Sequence, residues 1–97
     1  MFVVSGFYKF KKLKSLIKNK LILEKLFIKN NIRGTLIISK EGINGTISGR
    51  SKKISLVKKK IKSLFRIINF DSENLSKNKF QPFHKQKVKV KKEDITM

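Results

Sequence analysis

Arg33-Gly34-Thr35-Leu36-Ile37-Ile38-Ser39-Lys40-Glu41-Gly42-Ile43-Asn44-Gly45-Thr46-Ile47-Ser48-Gly49 reads as two extended runs around a break. In Arg33–Ser39, Leu36 and Ile38 face one way and Ile37 the other, the alternation of a half-buried strand. Gly42, Asn44 and Gly45 all tolerate positive φ, so a tight turn is expected within Lys40–Thr46. Ile43 to Gly49 then returns as the second strand of a hairpin.

Upstream, Phe2 to Phe10 alternates with period two. Phe2, Val4, Tyr8 and Phe10 share one parity, and Val3, Ser5, Phe7 and Lys9 the other, so this is a strand with at least one parity in the core. Leu13 to about Asn31 is too long for a strand and has no Gly or Pro. Leu16, Leu23, Leu26 and Phe27 share a helical face with Asn19 and Asn30. Ser51 is a candidate N-cap for a second helix, in which Ile54, Val57, Ile61, Leu64 and Phe65 form the apolar stripe. Six lysines (Lys52, Lys53, Lys58, Lys59, Lys60 and Lys62) spread over the rest of it. Ile67, Ile68 and Phe70 suggest a short extended piece, and Asp71 to Lys79 reads as polar loop. Lys85 to Lys92 is a strand with Val88 and Val90 facing in and Lys87, Lys89 and Lys91 facing out. The order βαββαβ specifies an α+β, ferredoxin-like (acylphosphatase-like) sandwich, an antiparallel sheet with two helices on one face. Residues 1–97 form one such domain, since a chain this short does not support two cores.

The formal net charge is +19, from 25 basic and 6 acidic residues. A/T-rich codons account for part of the lysine, isoleucine and asparagine content. The imbalance still favours a polyanionic partner, nucleic acid before an acidic membrane surface. No apolar run is long enough for a membrane helix and no leader pattern is evident. Cysteine is absent, which excludes thiolate chemistry within these residues and is consistent with a reducing cytoplasm. No metal cluster is expected, because His84 is the single histidine and lacks ligand partners in the sequence.

Two candidate sites follow. Lys85, Lys87, Lys89, Lys91 and Lys92 line a strand, with alternate members about 6.6 Å apart, near the spacing of successive phosphates. Lysines also keep a sheet edge from pairing with another chain, and both readings stand. Phe83 and His84 offer a stacking surface at the start of that line. The second candidate is the turn Glu41, Gly42, Asn44, Gly45 and Thr46, whose glycines would let a ligand approach the backbone. Glu41 is expected to cap that turn by accepting backbone N–H bonds, with a bond to a base edge as the other reading. The aromatic motif of the RNA-recognition module is missing. So is a glycine-rich loop with arginine after the first strand, which an acylphosphatase enzyme would need. Lys11-Lys12 stands there instead.

Glu41-Gly42-Ile43-Asn44-Gly45-Thr46-Ile47-Ser48-Gly49 and Pro82-Phe83-His84-Lys85-Gln86-Lys87-Val88-Lys89-Val90-Lys91-Lys92-Glu93-Asp94-Ile95-Thr96-Met97, with Phe7-Tyr8-Lys9-Phe10, resemble the N-terminal domain of the rhodanese-like tRNA uridine hydroxylases. The resemblance implies a ferredoxin-like fold and a place in the oxygen-dependent 5-hydroxylation of the wobble uridine of tRNA. Molecular oxygen would be a substrate of that reaction, with no cofactor in this domain. It also implies a C-terminal rhodanese domain carrying the essential cysteine, which these residues lack. The expected function is tRNA binding without independent catalysis, in the cytoplasm. Docking to the rhodanese domain without RNA contact is the alternative, and an acylphosphatase-like enzyme a third reading.

Overall fold

A computed structural model describes residues 1–91. Its elements are β1 (Phe2–Phe10), α1 (Leu16–Lys29), β2 (Arg33–Ser39), β3 (Gly42–Arg50), α2 (Ser51–Phe65), β4 (Ser72–Asn78) and β5 (Gln86–Val90). The strands form one sheet in the order β4-β1-β3-β2-β5. The first four strands pair antiparallel, but β5 lies parallel to β2, so the sheet is mixed rather than antiparallel throughout.

Period-two alternation sorts the strand side chains into two faces. Val3, Ser5 and Phe7 of β1, Leu36 and Ile38 of β2, Ile43 and Ile47 of β3 and Val88 of β5 face the helices and are buried. The helices supply Leu23, Phe27, Ile54, Val57, Ile61 and Phe65 from the stripes that their spacing predicts. The two asparagines on the α1 stripe serve its ends. Asn30 Nδ2 donates to the Leu26 carbonyl (2.8 Å) and Asn19 Nδ2 to that of Lys14 (3.4 Å). Each satisfies a carbonyl beside the apolar core.

Several expectations are corrected. The strand that completes the ferredoxin-like set is β4, within the segment expected to be loop. It pairs with β1 from Phe2↔Asn78 to Tyr8↔Ser72. The strand expected over Lys85–Lys92 is instead an added edge on the far side of β2, and it spans only Gln86–Val90, with Lys85 and Lys91 flanking it and Lys92 outside the described residues. Ile67–Phe70 is irregular, with a bend at Ile68-Asn69, although Ile67 and Phe70 both enter the core. Ser51 is the first helical residue of α2, not its cap; Arg50, in extended conformation, holds the cap position without a side-chain bond.

The hairpin turn is only Lys40-Glu41, because Ser39 pairs with Gly42 and β3 starts there. Gly42-Ile43-Asn44-Gly45-Thr46 is central strand, bonded to β1 on one side and β2 on the other. Its glycines answer to crowding rather than to a turn. A Cβ at Gly42 would lie 2.2 Å from the Lys9 carbonyl oxygen, and one at Gly45 2.8 Å from both Leu36 and Phe7 side-chain carbons.

The link from β4 to β5 has to pass from one edge of the sheet to the other. It does so as a strap over the helix-free face. Ser48 Oγ donates to the Pro82 carbonyl (2.7 Å), and Gln81 Nε2 donates to the carbonyls of Asn31 (2.8 Å) and Ser48 (3.1 Å). Arg33 donates to the Phe83 carbonyl (3.3 Å). The rest of that face stays open.

Candidate nucleic-acid interface

Cross-strand pairing puts whole rows of residues on the open face. One row runs Ser72, Tyr8, Asn44, Ile37, Lys89, and the next Asn74, Gly6, Thr46, Thr35, Lys87. Beyond Tyr8 lies Phe10, opposite Gly42 and Ser39, and the Lys91 N–H bonds Ile38 O at the same end. A shallow depression at this end is lined by Tyr8, Phe10, Ile37, Asn44 and Lys91 around the bare backbone of Gly42.

The two candidate sets are therefore partly united. Gly42, Asn44 and Thr46 share the open face with Lys87 and Lys89, while Gly45 points into the core beneath Phe7. The backbone donors of this segment are consumed by strand pairing, so the exposed backbone expected of a turn is not there. Among the described residues the Glu41 carboxylate accepts no backbone N–H bond. Ser39 Oγ accepts the Glu41 N–H (3.2 Å), and the Glu41 carbonyl accepts the Lys11 N–H (3.0 Å). Phe83 and His84 are exposed on the strap, ahead of β5, and Phe83 takes φ 70° there. The Lys85 carbonyl accepts the Gly34 N–H at 2.8 Å and so starts the β2–β5 ladder. Lys92 lies outside the described residues.

Charge is distributed unevenly between the faces. Lys87, Lys89 and Lys91 are exposed and form no ion pair among the described residues. Among the described residues three acids are paired: Glu24 with Lys20 on α1, Glu73 with Lys58 on the helix side, and Asp71 with Lys9 beside the depression. Asp71 also accepts the Phe10 N–H at 2.7 Å, and that bond first, then Lys9, holds its carboxyl below the usual carboxylate range. The Lys58 ammonium does the same to Glu73. Among the described residues Glu41 lines the depression, and the Asp71 carboxylate borders it through Phe10 and Lys9.

The sequence reading missed Tyr8 and Phe10 as site residues. Both are exposed on the open face, whereas Phe7 is buried and stacks on Phe70 with ring centroids 4.6 Å apart. The signal lay in parity: once Phe7 covers Gly45, Tyr8 and Phe10 must project from the other face.

A five-stranded, two-helix sandwich of acylphosphatase type, with a lysine edge beside an open face, is the class these features define. Residues 2–93 match the family model of the UPF0176 acylphosphatase like domain, and the chain belongs to that family. It is 59% identical over its whole length to the tRNA uridine(34) hydroxylase of Pelagibacter ubique (strain HTCC1062), and corresponds to the N-terminal part of that protein. The chain spans about a third (32%) of that relative's length. Among solved structures, acylphosphatase from Bacillus subtilis superposes with a TM-score of 0.61 at 8% identity, covering 94% of this chain and all of that one. BlrP1 from Klebsiella pneumoniae gives 0.69 at 12% identity, over 95% of this chain and 24% of that one. These likenesses concern the fold. The loop at the end of β1 is Lys11-Lys12-Leu13-Lys14-Ser15, without glycine or arginine. No helix among the described residues is long and apolar enough to cross a membrane.

Proposed function

We propose that this domain binds tRNA within a longer tRNA uridine hydroxylase, whose oxygen-dependent 5-hydroxylation of the wobble uridine is carried out by residues beyond these. The carrying observation is the row Lys87, Lys89 and Lys91 along β5 and its end, unpaired among the described residues, beside a polar face. The name of the relative supports the choice of tRNA among polyanions. Cytoplasmic location belongs to the same reading.

Salt dependence tests it. Each phosphate neutralised on a single strand contributes a slope of about −0.7 to log K against log salt, so four to six contacts give about −3 to −4. Titration of tRNA at several salt concentrations should return that slope. Absence of binding at low salt, or binding indifferent to salt, overturns the proposal.

A second reading, docking to a rhodanese domain, is supported by one feature. Ile17, Leu21 and Ile28 stand exposed along one line of α1, at 62%, 53% and 67%. Such a stripe suits an apolar protein neighbour. It lies on the helix layer, opposite the open face, so a domain that docks there and leaves tRNA unbound would satisfy this reading alone.

A further inference from the structure

We infer that Tyr8 and Phe10 form a stacking platform for neighbouring unpaired RNA bases, whose phosphates run along Lys87, Lys89 and Lys91. This rests on the RNA-binding reading and adds to it the class of nucleotide recognised. The two rings sit at i and i+2 of β1, about 6.6 Å apart on one face. They are 47% and 75% exposed, although β1 is flanked by β3 on one side and β4 on the other. Their surroundings are low. Gly6 lies on one side of Tyr8 in sequence, and Gly42 is directly opposite Phe10, so neither residue raises a wall against the rings. Asn44, opposite Tyr8, places an amide able to donate and accept next to whatever stacks there.

Three inter-strand gaps separate β1 from β5, so the strip from aromatic ring to lysine edge is about 14 Å across. Aromatic faces beside a basic track are what single-stranded nucleic acid requires, because every base has a π-face and every linkage a charge. Paired bases are held in their own stack and cannot lie flat on a sheet, so unpaired nucleotides are the ligand class. A protein partner would also cover exposed rings. The lysine border favours a polyanion instead.

The chain contains one tyrosine and no tryptophan, so emission excited beyond the phenylalanine absorption band reports Tyr8 alone. The probes are oligouridylate of roughly ten nucleotides and a blunt RNA duplex of equal length. Oligouridylate should quench Tyr8 emission, and the duplex should not. With labelled oligouridylate read by anisotropy, the paired substitutions Tyr8→Leu and Phe10→Leu should weaken binding on the order of ten-fold or more with the salt slope unchanged. Leucine keeps an apolar side chain on the strand, and the wild-type quench needs no variant. Salt-dependent binding of oligouridylate without quenching, with the leucine variant binding like wild type, overturns the platform and leaves the RNA reading intact. Equal quenching by the duplex overturns the unpaired-base assignment. No RNA binding of any kind overturns both.

Discussion

Lys58 reaches from α2 beneath the sheet to the Glu73 carboxylate on β4, and on the way its ammonium donates to Ser5 Oγ at 2.9 Å. The same group lies 5.8 Å from the ring centroids of both Phe7 and Phe70. It is thus a structural cation, unlike the exposed Lys59 and Lys60 beside it. Ser5 is fully buried, so Lys58→Met would strand its hydroxyl and remove the cation from two rings. A loss of about 1–3 kcal/mol is expected, read as a fall in melting temperature of about 4–8 °C per kcal/mol. Lys59→Gln and Lys60→Gln should stay within about 0.5 kcal/mol. Equal effects from all three would contradict the assignment.

Acid should weaken the fold through Asp71 and Glu73. Both carboxyls titrate lower in the folded chain, Asp71 chiefly because of the Phe10 N–H and Glu73 chiefly because of Lys58. The folded state therefore favours the ionised forms. Their contribution is complete above the unfolded carboxylate value of about 4 and is lost as pH falls through the lower folded values. Urea midpoints should be flat above about pH 5 and drop below about pH 4. The double variant Asp71→Asn/Glu73→Gln should drop less steeply over that interval. An unchanged profile would rule out these two groups as the cause.

Gly42→Ala should cost more than Gly45→Ala. At Gly42 the new methyl meets a backbone oxygen and the φ of 156° is one that alanine adopts poorly. That oxygen belongs to the β1–β3 pairing and cannot retreat cheaply, so about 2 kcal/mol or more is expected. At Gly45 the obstacles are the ends of Leu36 and Phe7, which yield by repacking at about 1–3 kcal/mol. Denaturant unfolding of the two variants gives the order directly. The reverse order would imply that the core around Phe7 is tighter than the strand pairing.

The binding edge can be separated from the helix lysines by charge removal. Lys87, Lys89 and Lys91 replaced together by Gln should weaken tRNA binding well over ten-fold and lower the salt slope by about 2. The helix control is Lys52, Lys59 and Lys60, all exposed, with Lys58 excluded because its loss would confound binding with stability. A larger loss from the helix triple variant, with both proteins folded, would move the RNA to the other face.

Much of this architecture was legible because local patterns and burial agree. Arg33–Ser39 alternates cleanly and is a strand to the residue, and the α2 stripe is the buried one. What could not be read depends on pairing across the chain. Ser72–Asn78 has no apolar alternation, since only Leu75 is hydrophobic and every residue but Asn78 is exposed. It becomes a strand because β1 offers an unpaired edge. The direction of β5 is likewise set by the path of the strap, not by its own residues. The Gly42–Gly45 pair looked like a turn because the residues that forbid a side chain there, Lys9, Phe7 and Leu36, are distant in sequence.

The strap ties the lysine edge to the rest of the sheet, and its loss should separate binding from charge. From β4 to β5 the chain crosses four inter-strand gaps, about 19 Å. The seven residues Lys79–Lys85 that span it reach at most about 25 Å. Little slack remains, so the position of β5 depends on where the strap is pinned. Gln81 and Ser48 supply three of those pins. Gln81→Ala with Ser48→Ala removes them, for a cost of about 1–2 kcal/mol in local opening, or a five- to thirty-fold rise in the open population. Trypsin should then cut at Lys79 or Lys85 faster by that factor, while the melting temperature of the main core changes little. tRNA affinity should fall although no positive charge has been removed, because the row Lys87, Lys89, Lys91 is no longer held in line beside Thr35 and Ile37. Faster cleavage with undiminished affinity would mean that RNA needs the charge of this edge but not its placement.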